Sequence, residues 1–191
     1  REFVMLETEG PGAVIRFWMT FAGEGATEST LRFYIDGNSE PAIEGNALEV
    51  LSGGILAPEP LCASVSPETE YERRGHNLYL PIPYAENCKI TIESDAVKKV
   101  DGRWRPSIYY NVCYRTYNEN VKVQSFSEEV LNGAKTKIEK MAELLLNPER
   151  GDEPEINQSV KLESEGHINL DLPEGEKAVS KLVLKIDAED I

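Results

Sequence analysis

The densest gathering of reactive side chains runs Glu68-Thr69-Glu70-Tyr71-Glu72-Arg73-Arg74-Gly75-His76-Asn77. In an extended chain alternate residues share a face and stand roughly 7 Å apart. Glu68, Glu70 and Glu72 would then form a row at a separation used by carboxylate pairs in inverting glycoside hydrolysis. Spacing alone does not establish catalysis, because three acids beside two arginines equally form a solvated, self-neutralising loop. The neighbouring residue types suit recognition of a polyol. Arg73, Arg74 and Asn77 supply paired hydrogen bonds, His76 donates or accepts, and the ring of Tyr71 offers a flat apolar face. The cluster leads into Tyr79-Leu80-Pro81-Ile82-Pro83-Tyr84. There Pro81 and Pro83 share one face and each removes a ladder donor, so this strand belongs at a sheet edge or a bulge, beside a ligand cleft or a subunit contact.

Other chemistries lack their residues. His76 and His167 are the only histidines, and no Cys or His pair has zinc spacing. Asp36-Gly37-Asn38-Ser39-Glu40 has Pro41 and Ala47 where a calcium loop needs Gly and Glu, and reads as a hairpin turn. No nucleophile elbow, phosphate loop or dinucleotide fingerprint occurs, so no metal or cofactor is expected. Asn157-Gln158-Ser159 is a formal glycosylation sequon, too common a pattern to weigh. Cys62, Cys88 and Cys113 are odd in number and irregularly spaced, which argues against a disulfide framework and for small buried hydrophobes. A net charge of -14 argues against a nucleic-acid partner. No apolar run approaches the roughly 18 residues of a membrane-crossing helix. The chain starts at Arg1 with no initiator Met or leader, which reads as a processed or truncated N-terminus and leaves the compartment unread.

The elements that must position these residues are strands up to Tyr117. Period-two alternation puts Ala13, Ile15, Phe17, Met19 and Phe21 on one face and Val14, Arg16, Trp18 and Thr20 on the other. Similar runs are Phe3 to Glu7, Leu31 to Ile35, a short stretch near Ala42, Leu61 to Val65, Leu78 to Tyr84, Cys88 to Ile92 and Ile108 to Tyr117. Asp36-Gly37-Asn38, Ser52-Gly53-Gly54, Ala85-Glu86-Asn87 and Asp101-Gly102 separate them as turns. About eight strands with no helical spacing between them predict an antiparallel β-sandwich or jelly roll. Beyond Tyr117, Ser125-x-x-Glu128 resembles a capping box. Val130, Leu131, Ala134, Ile138, Met141, Ala142 and Leu145 then predict an amphipathic helix at about 127–146, lying as a lid on one sheet. Residues 148–156 read as a linker, and 157–191 as the first strands of a second jelly roll, at Val160 to Leu162, Ile168 to Leu172 and Val179 to Ile186. Gly10-Pro-Gly-Ala-Val-Ile-Arg-Phe-Trp-Met-Thr-Phe21 is echoed by Gly175-Glu-Lys-Ala-Val-Ser-Lys-Leu-Val-Leu-Lys-Ile186, as if one strand-opening device began two similar domains.

Four segments carry a family resemblance: Gly10 to Thr20, Leu31-Arg-Phe-Tyr-Ile-Asp-Gly37, Asn77-Leu-Tyr-Leu-Pro-Ile-Pro-Tyr84 and Ile108-Tyr-Tyr-Asn-Val112. In this order and spacing they resemble the signatures of a bacterial twin jelly-roll family of glycoside hydrolases, formerly a domain of unknown function. It includes alpha-D-fructofuranosidase/difructose-dianhydride hydrolases and D-arabinofuranosidases. The resemblance covers the N-terminal half and weakens from Asn118 onward. It implies carbohydrate as partner and assembly as homo-trimers or their multiples; the compartment stays unknown, with periplasmic or secreted favoured over cytoplasmic. It also implies a retaining mechanism on two glutamates that lie downstream of the matched region, so the motif assigns neither catalytic role to a residue of this chain.

Three functions are compatible with these residues. The leading one is the N-terminal jelly roll of a carbohydrate-active enzyme, with Arg73, Arg74, His76 and Asn77 as sugar contacts and Trp18 or Tyr84 for stacking. A non-catalytic carbohydrate-binding or oligomer-assembly module is the alternative, since jelly rolls serve binding as readily as catalysis. The third is a self-sufficient hydrolase using Glu68, Glu70 or Glu72.

Overall fold

The computed structural model describes residues 1–105, 107–148, 155–161, 165–176 and 178–185. The chain divides into two units, Arg1–Glu149 and Arg150–Ile191. Eleven strands occur among the described residues: β1 (Glu2–Glu9), β2 (Gly12–Phe21), β3 (Thr30–Ile35), β4 (Ile43–Asn46), β5 (Cys62–Val65), β6 (Gly75–Leu78), β7 (Ile82–Tyr84), β8 (Asn87–Glu93), β9 (Lys98–Val100), β10 (Arg103–Arg105) and β11 (Ile108–Thr116). One sheet has the order β1-β8-β3-β4, and the other β11-β2-β6-β5 with β7 also on β2. All their pairings are antiparallel. The result is the expected antiparallel β-sandwich, mainly β, with one long helix. The extra strands arise because Asp101-Gly102, both at positive φ, folds β9 onto β10 as a hairpin, and because Leu78 to Tyr84 is two strands.

That division explains Pro81. Phe17, Trp18 and Met19 pair with Leu78, Asn77 and His76, whereas Gly12, Ala13 and Val14 pair with Tyr84, Pro83 and Ile82. Ile15 and Arg16 therefore face three residues, Tyr79, Leu80 and Pro81, and Pro81 sits in the bulge where no ladder donor is needed. On its other side β2 is irregular at the same place, since Val14 pairs with Tyr114 but Arg16 with Cys113. The bulge reverses which parity faces inward. Val14 is buried in the core, Ile15 is only half-buried, and Phe17, Met19 and Phe21 then continue the core row. Unbroken alternation from Ala13 to Phe21 is thus corrected at Ile15.

The two sheets close on one apolar core. Phe17 of β2 meets Phe33 of β3 edge to face, ring centroids 6.0 Å apart. Leu31, Ile35, Cys88, Ile90 and Ile92 line one side, and Met19, Phe21, Leu78, Ile82 and Tyr84 the other. Burial pushes the thiols of Cys62 and Cys88 up to about 11 and about 12, as befits inert core residues, while Cys113 is half-buried. Gly10 and Gly12 are required by Tyr84, whose ring crosses them. A Cβ on Gly10 would fall 2.8 Å from Tyr84 Cδ2, and one on Gly12 would run into Tyr84 Oη. On the outer face of the first sheet Arg32 reaches Glu44 and Glu93 at 2.9 Å and Glu2 at 3.7 Å, and this cluster covers Thr91, which is buried.

The long helix, α2 (Glu128–Leu146), follows α1 (Ala47–Ser52) in the chain. Its cap is Ser127, whose hydroxyl accepts from Val130 N, so the expected box at Ser125 and Glu128 is not the one used. Ser125 instead accepts from Ala85 N and donates to Asp36, while Phe126 N donates to the carbonyl of Pro83. Asp36, in the turn after β3, also accepts from Glu86 N at 2.7 Å and Asn87 N at 3.3 Å. Burial resists its ionisation, but these hydrogen bonds prevail and hold its carboxyl below the usual range. Leu131, Ile138 and Ala142 pack on the core, whereas Met141, Leu144, Leu145 and Leu146 are exposed, so the helix covers less than its stripe suggests.

The described residues of the second unit lie outside any helix or strand and are exposed. Ile168 to Leu172 alternates as a strand does, yet neither it nor Val179 to Lys185 is a strand among the described residues, and a strand forms only with a neighbour that satisfies its backbone. Leu162, Ile186 and most of the expected linker, 149–154, fall outside the described residues.

Candidate functional site

The bulge in β2 determines what the second sheet shows on its outer face. After Ile15 the outward row is Arg16, Trp18 and Thr20, flanked by Asn77 of β6 and by Tyr109, Asn111 and Cys113 of β11. Arg16 spans the row. Its Nη2 donates to Asn77 Oδ1 at 3.4 Å, its Nη1 donates to Asn111 Oδ1 at 3.5 Å, and its guanidinium carbon lies 5.9 Å from the centre of the Tyr79 ring. Both bonds are at the long end of the range, so the fork is oriented without being saturated. Asn77 is 2% exposed and positions Arg16 from beneath, whereas Asn111, Tyr79 and Tyr109 are open to solvent. Trp18 lies against Gly75, where an added Cβ would come within 2.7 Å of the indole Nε1. A glycine there lets the ring approach the sheet closely. The face thus joins an Arg fork, an exposed amide and three aromatic rings, the equipment for holding a neutral polyhydroxyl ligand by hydrogen bonds and ring stacking.

The residues singled out from the sequence separate into three places. Trp18 and Asn77 meet on this face. His76 and Tyr84 are turned inward. His76 is fully buried, its Nδ1 2.6 Å from Ser52 Oγ and its ring 5.1 Å from that of Tyr71, while its Nε2 has no hydrogen-bond partner among the described residues. Burial holds its pKa down and the neighbouring Arg74 adds to this, so the imidazole is neutral and closed to a sugar. Tyr84 shows no surface for stacking, and its hydroxyl is buried without a hydrogen-bond partner among the described residues. Alternation within β6 explains the difference, since Asn77 faces out and His76 in.

Arg73, Arg74 and the three glutamates lie in the loop before β6. The chain there is not extended: Glu70 precedes a 3-10 turn at Tyr71–Arg73, and the row of Glu68, Glu70 and Glu72 on one strand face does not form. Arg73 is exposed and pairs with Glu70 at 3.5 Å. Arg74 is committed to the loop itself, donating to the carbonyls of Thr69 at 2.8 Å and Pro67 at 2.7 Å, with Tyr71 5.8 Å from its guanidinium. Among the described residues no group of His, Cys, Asp and Glu could hold a metal ion, and no helix is long and apolar enough to cross a membrane. Sequence reasoning missed Arg16, Tyr79, Tyr109 and Asn111. The outward alternation of Arg16 and Trp18 was a signal for the first, but the partners are 61 and 95 residues away in sequence and only strand pairing brings them in.

Residues 1–134 match the family described as the GH172 first beta-sandwich domain. No curated protein matches the chain.

Proposed function

The chain belongs to the GH172 family of glycoside hydrolases, whose first beta-sandwich domain it carries over residues 1–134, and from that premise we propose that this sandwich is the carbohydrate-contacting, non-catalytic part of a furanoside-cleaving enzyme. The outer face around Arg16 and Trp18 forms one wall against the glycan, and the catalytic glutamates belong to sequence outside this chain. The observation that carries this reading is the oriented, unsaturated Arg16 fork between Asn77 and Asn111, with Tyr79 and Trp18 beside it. Buried acids or a nucleophile–base pair reaching solvent would have pointed to catalysis, and the loop acids at Glu68, Glu70 and Glu72 are solvated instead. We keep as proposals that 148–156 is a linker and 157–191 opens a second β domain, supported by the echo of Gly10 to Phe21 at Gly175 to Ile186 and by the alternation of Ile168 to Leu172.

The test is titration of the 191-residue chain with fructofuranosides and D-arabinofuranosides, followed by tryptophan fluorescence and calorimetry. Binding should weaken about tenfold in Trp18→Ala and in Arg16→Ala, the scale of one lost stacking or fork interaction. His76 and Arg74 should be silent in binding if replaced without unfolding. Binding of the whole panel unchanged in Trp18→Ala and Arg16→Ala would remove this face from the reading. Turnover of aryl furanosides by the chain would overturn the assignment of catalysis to other sequence.

A further inference from the structure

The two sheets differ in the sign of their charge. The strands of the first carry five glutamates, Glu2, Glu7, Glu9, Glu44 and Glu93, against Arg32 and Lys89. The strands of the second carry no Asp or Glu, and their only ionised side chains are Arg16 and Arg115. In a chain with 34 acids and 20 bases this is a local reversal. Both arginines belong to the outer face. Arg115 is opposite Ala13, one outward position beyond Cys113, the residue opposite Arg16. Directly opposed residues share a face, and Ala13 has the parity opposite to that of Val14 in the core.

The setting of Arg16 is unlike that of Arg32. Arg32 meets three carboxylates at 2.9, 2.9 and 3.7 Å, which neutralise it within the fold. Among the described residues neither Arg16 nor Arg115 forms an ion pair. Arg16 is held instead by the amide oxygens of Asn77 at 3.4 Å and Asn111 at 3.5 Å. An amide oxygen orients a guanidinium and leaves its charge in place. The donors that remain form a planar fork, which matches a carboxylate or phosphate in bidentate fashion. A neutral polyol needs donors and rings, but no full charge.

We propose that the glycan taken by this face carries an oxyanion, a carboxylate or phosphate group, that seats on the Arg16 fork with Arg115 as a second cation while Trp18 and Tyr79 hold the sugar ring. The inference rests on the carbohydrate reading above and narrows it to an acidic glycan. The net charge of -14 repels an anion at long range. At physiological ionic strength, however, the Debye length is about 8 Å, so the two arginines set the field that a bound ligand meets. Arg16 is also half-buried, where less water competes for its donors.

Calorimetric titration of the full chain with matched ligands tests it: digalacturonate against its methyl ester, and D-arabinose 5-phosphate against D-arabinose. In at least one pair the acidic member should bind about tenfold more tightly at low salt, the scale of charge-assisted hydrogen bonding, and the ratio should shrink as salt rises. A preference in the first pair alone assigns a uronate, in the second alone a sugar phosphate, and in both an oxyanion read by charge. Arg16→Gln keeps donors without the charge and should bring the ratio to about one. Arg115→Gln should lower it about two- to threefold, and Arg32→Gln, on the other sheet, should leave it as in the wild type. Equal affinities within both pairs would overturn the proposal, as would a preference that persists in Arg16→Gln with its β circular dichroism intact. If neutral sugars still bind and lose affinity in Trp18→Ala, the carbohydrate reading stands while this inference falls; if no sugar binds, both fall.

Discussion

Replacing Gly12 by alanine tests the packing logic of the sandwich at its tightest point. The added Cβ would run into Tyr84 Oη and sit 2.6 Å from Tyr84 Cζ and 2.5 Å from the carbonyl oxygen of Arg115, where ordinary contact begins at 3.4 Å. Relief therefore needs a movement of about 1 Å. Neither neighbour yields easily. Tyr84 is fully buried in the core, and Arg115 belongs to the nine-residue ladder between β11 and β2. Overpacking a dense core costs about 1–3 kcal/mol, and disturbing a ladder bond adds about 1 kcal/mol, so we expect a loss of about 3 kcal/mol. For a chain of this size that lowers the melting temperature by roughly 6–12 °C. The assay is equilibrium urea unfolding followed by fluorescence, with m compared between variants. Combining Gly12→Ala with Tyr84→Phe removes only the Oη contact and should restore less than half of the loss. Gly133→Ala, in α2 with nothing within 4 Å of the new Cβ, is the opposite control and should gain about 0.5–1 kcal/mol. A Gly12→Ala protein within about 0.5 kcal/mol of the wild type would refute the reasoning, because the Cβ would then have found room the structure denies it.

Three further outcomes follow from buried polar groups. Tyr84→Phe alone removes a buried hydroxyl that has no hydrogen-bond partner among the described residues and should be neutral or stabilising by about 1 kcal/mol in the same assay. Asp36→Ala should cost about 3 kcal/mol at neutral pH, through the bonds from Ser125, Glu86 and Asn87. Because the folded pKa of Asp36 is depressed, its contribution is complete above the unfolded value near 3.9 and is lost as pH falls through the lower folded value; the gap between wild type and variant should close there. For His76 the folded pKa is also depressed, so the unfolded chain takes up its proton first. Stability should be level above about pH 6.5 and fall by up to about 1.4 kcal/mol per pH unit below it, and a folded His76→Phe variant should lack that slope between about pH 6.5 and 5.

Much of the sandwich was legible because period two is a local property. Cys88, Ile90 and Ile92 do face the core, and the turns at Asp36-Gly37 and Asp101-Gly102 fall where residues tolerant of positive φ stand. What was not legible depends on partners. The parity change at Ile15 exists only against β11 and against residues 79–81, so no window on β2 alone reveals it. The same holds for the site. Trp18 and Asn77 could be nominated by residue type, but Tyr84 and His76 looked equally suitable and are sealed inside, because a residue beside a bulge or a strand start cannot be assigned a face until its neighbours are known. The extended reading of Glu68 to Glu72 failed for a local reason, the 3-10 turn at Tyr71–Arg73 that bends the loop back toward β6.

The Asp36 carboxylate also orders events in time. It is 89 residues from Ser125, yet it reaches the 85–87 turn only once β3 and β8 have paired, which brings Ile35 beside Cys88. The acceptor for the segment leading into α2 therefore does not exist until the first sheet does. Loop closure over such a separation is slow to be repaid, so docking of α2 should come after the rate-limiting step, and Ser125→Ala should speed unfolding while leaving the folding rate nearly unchanged.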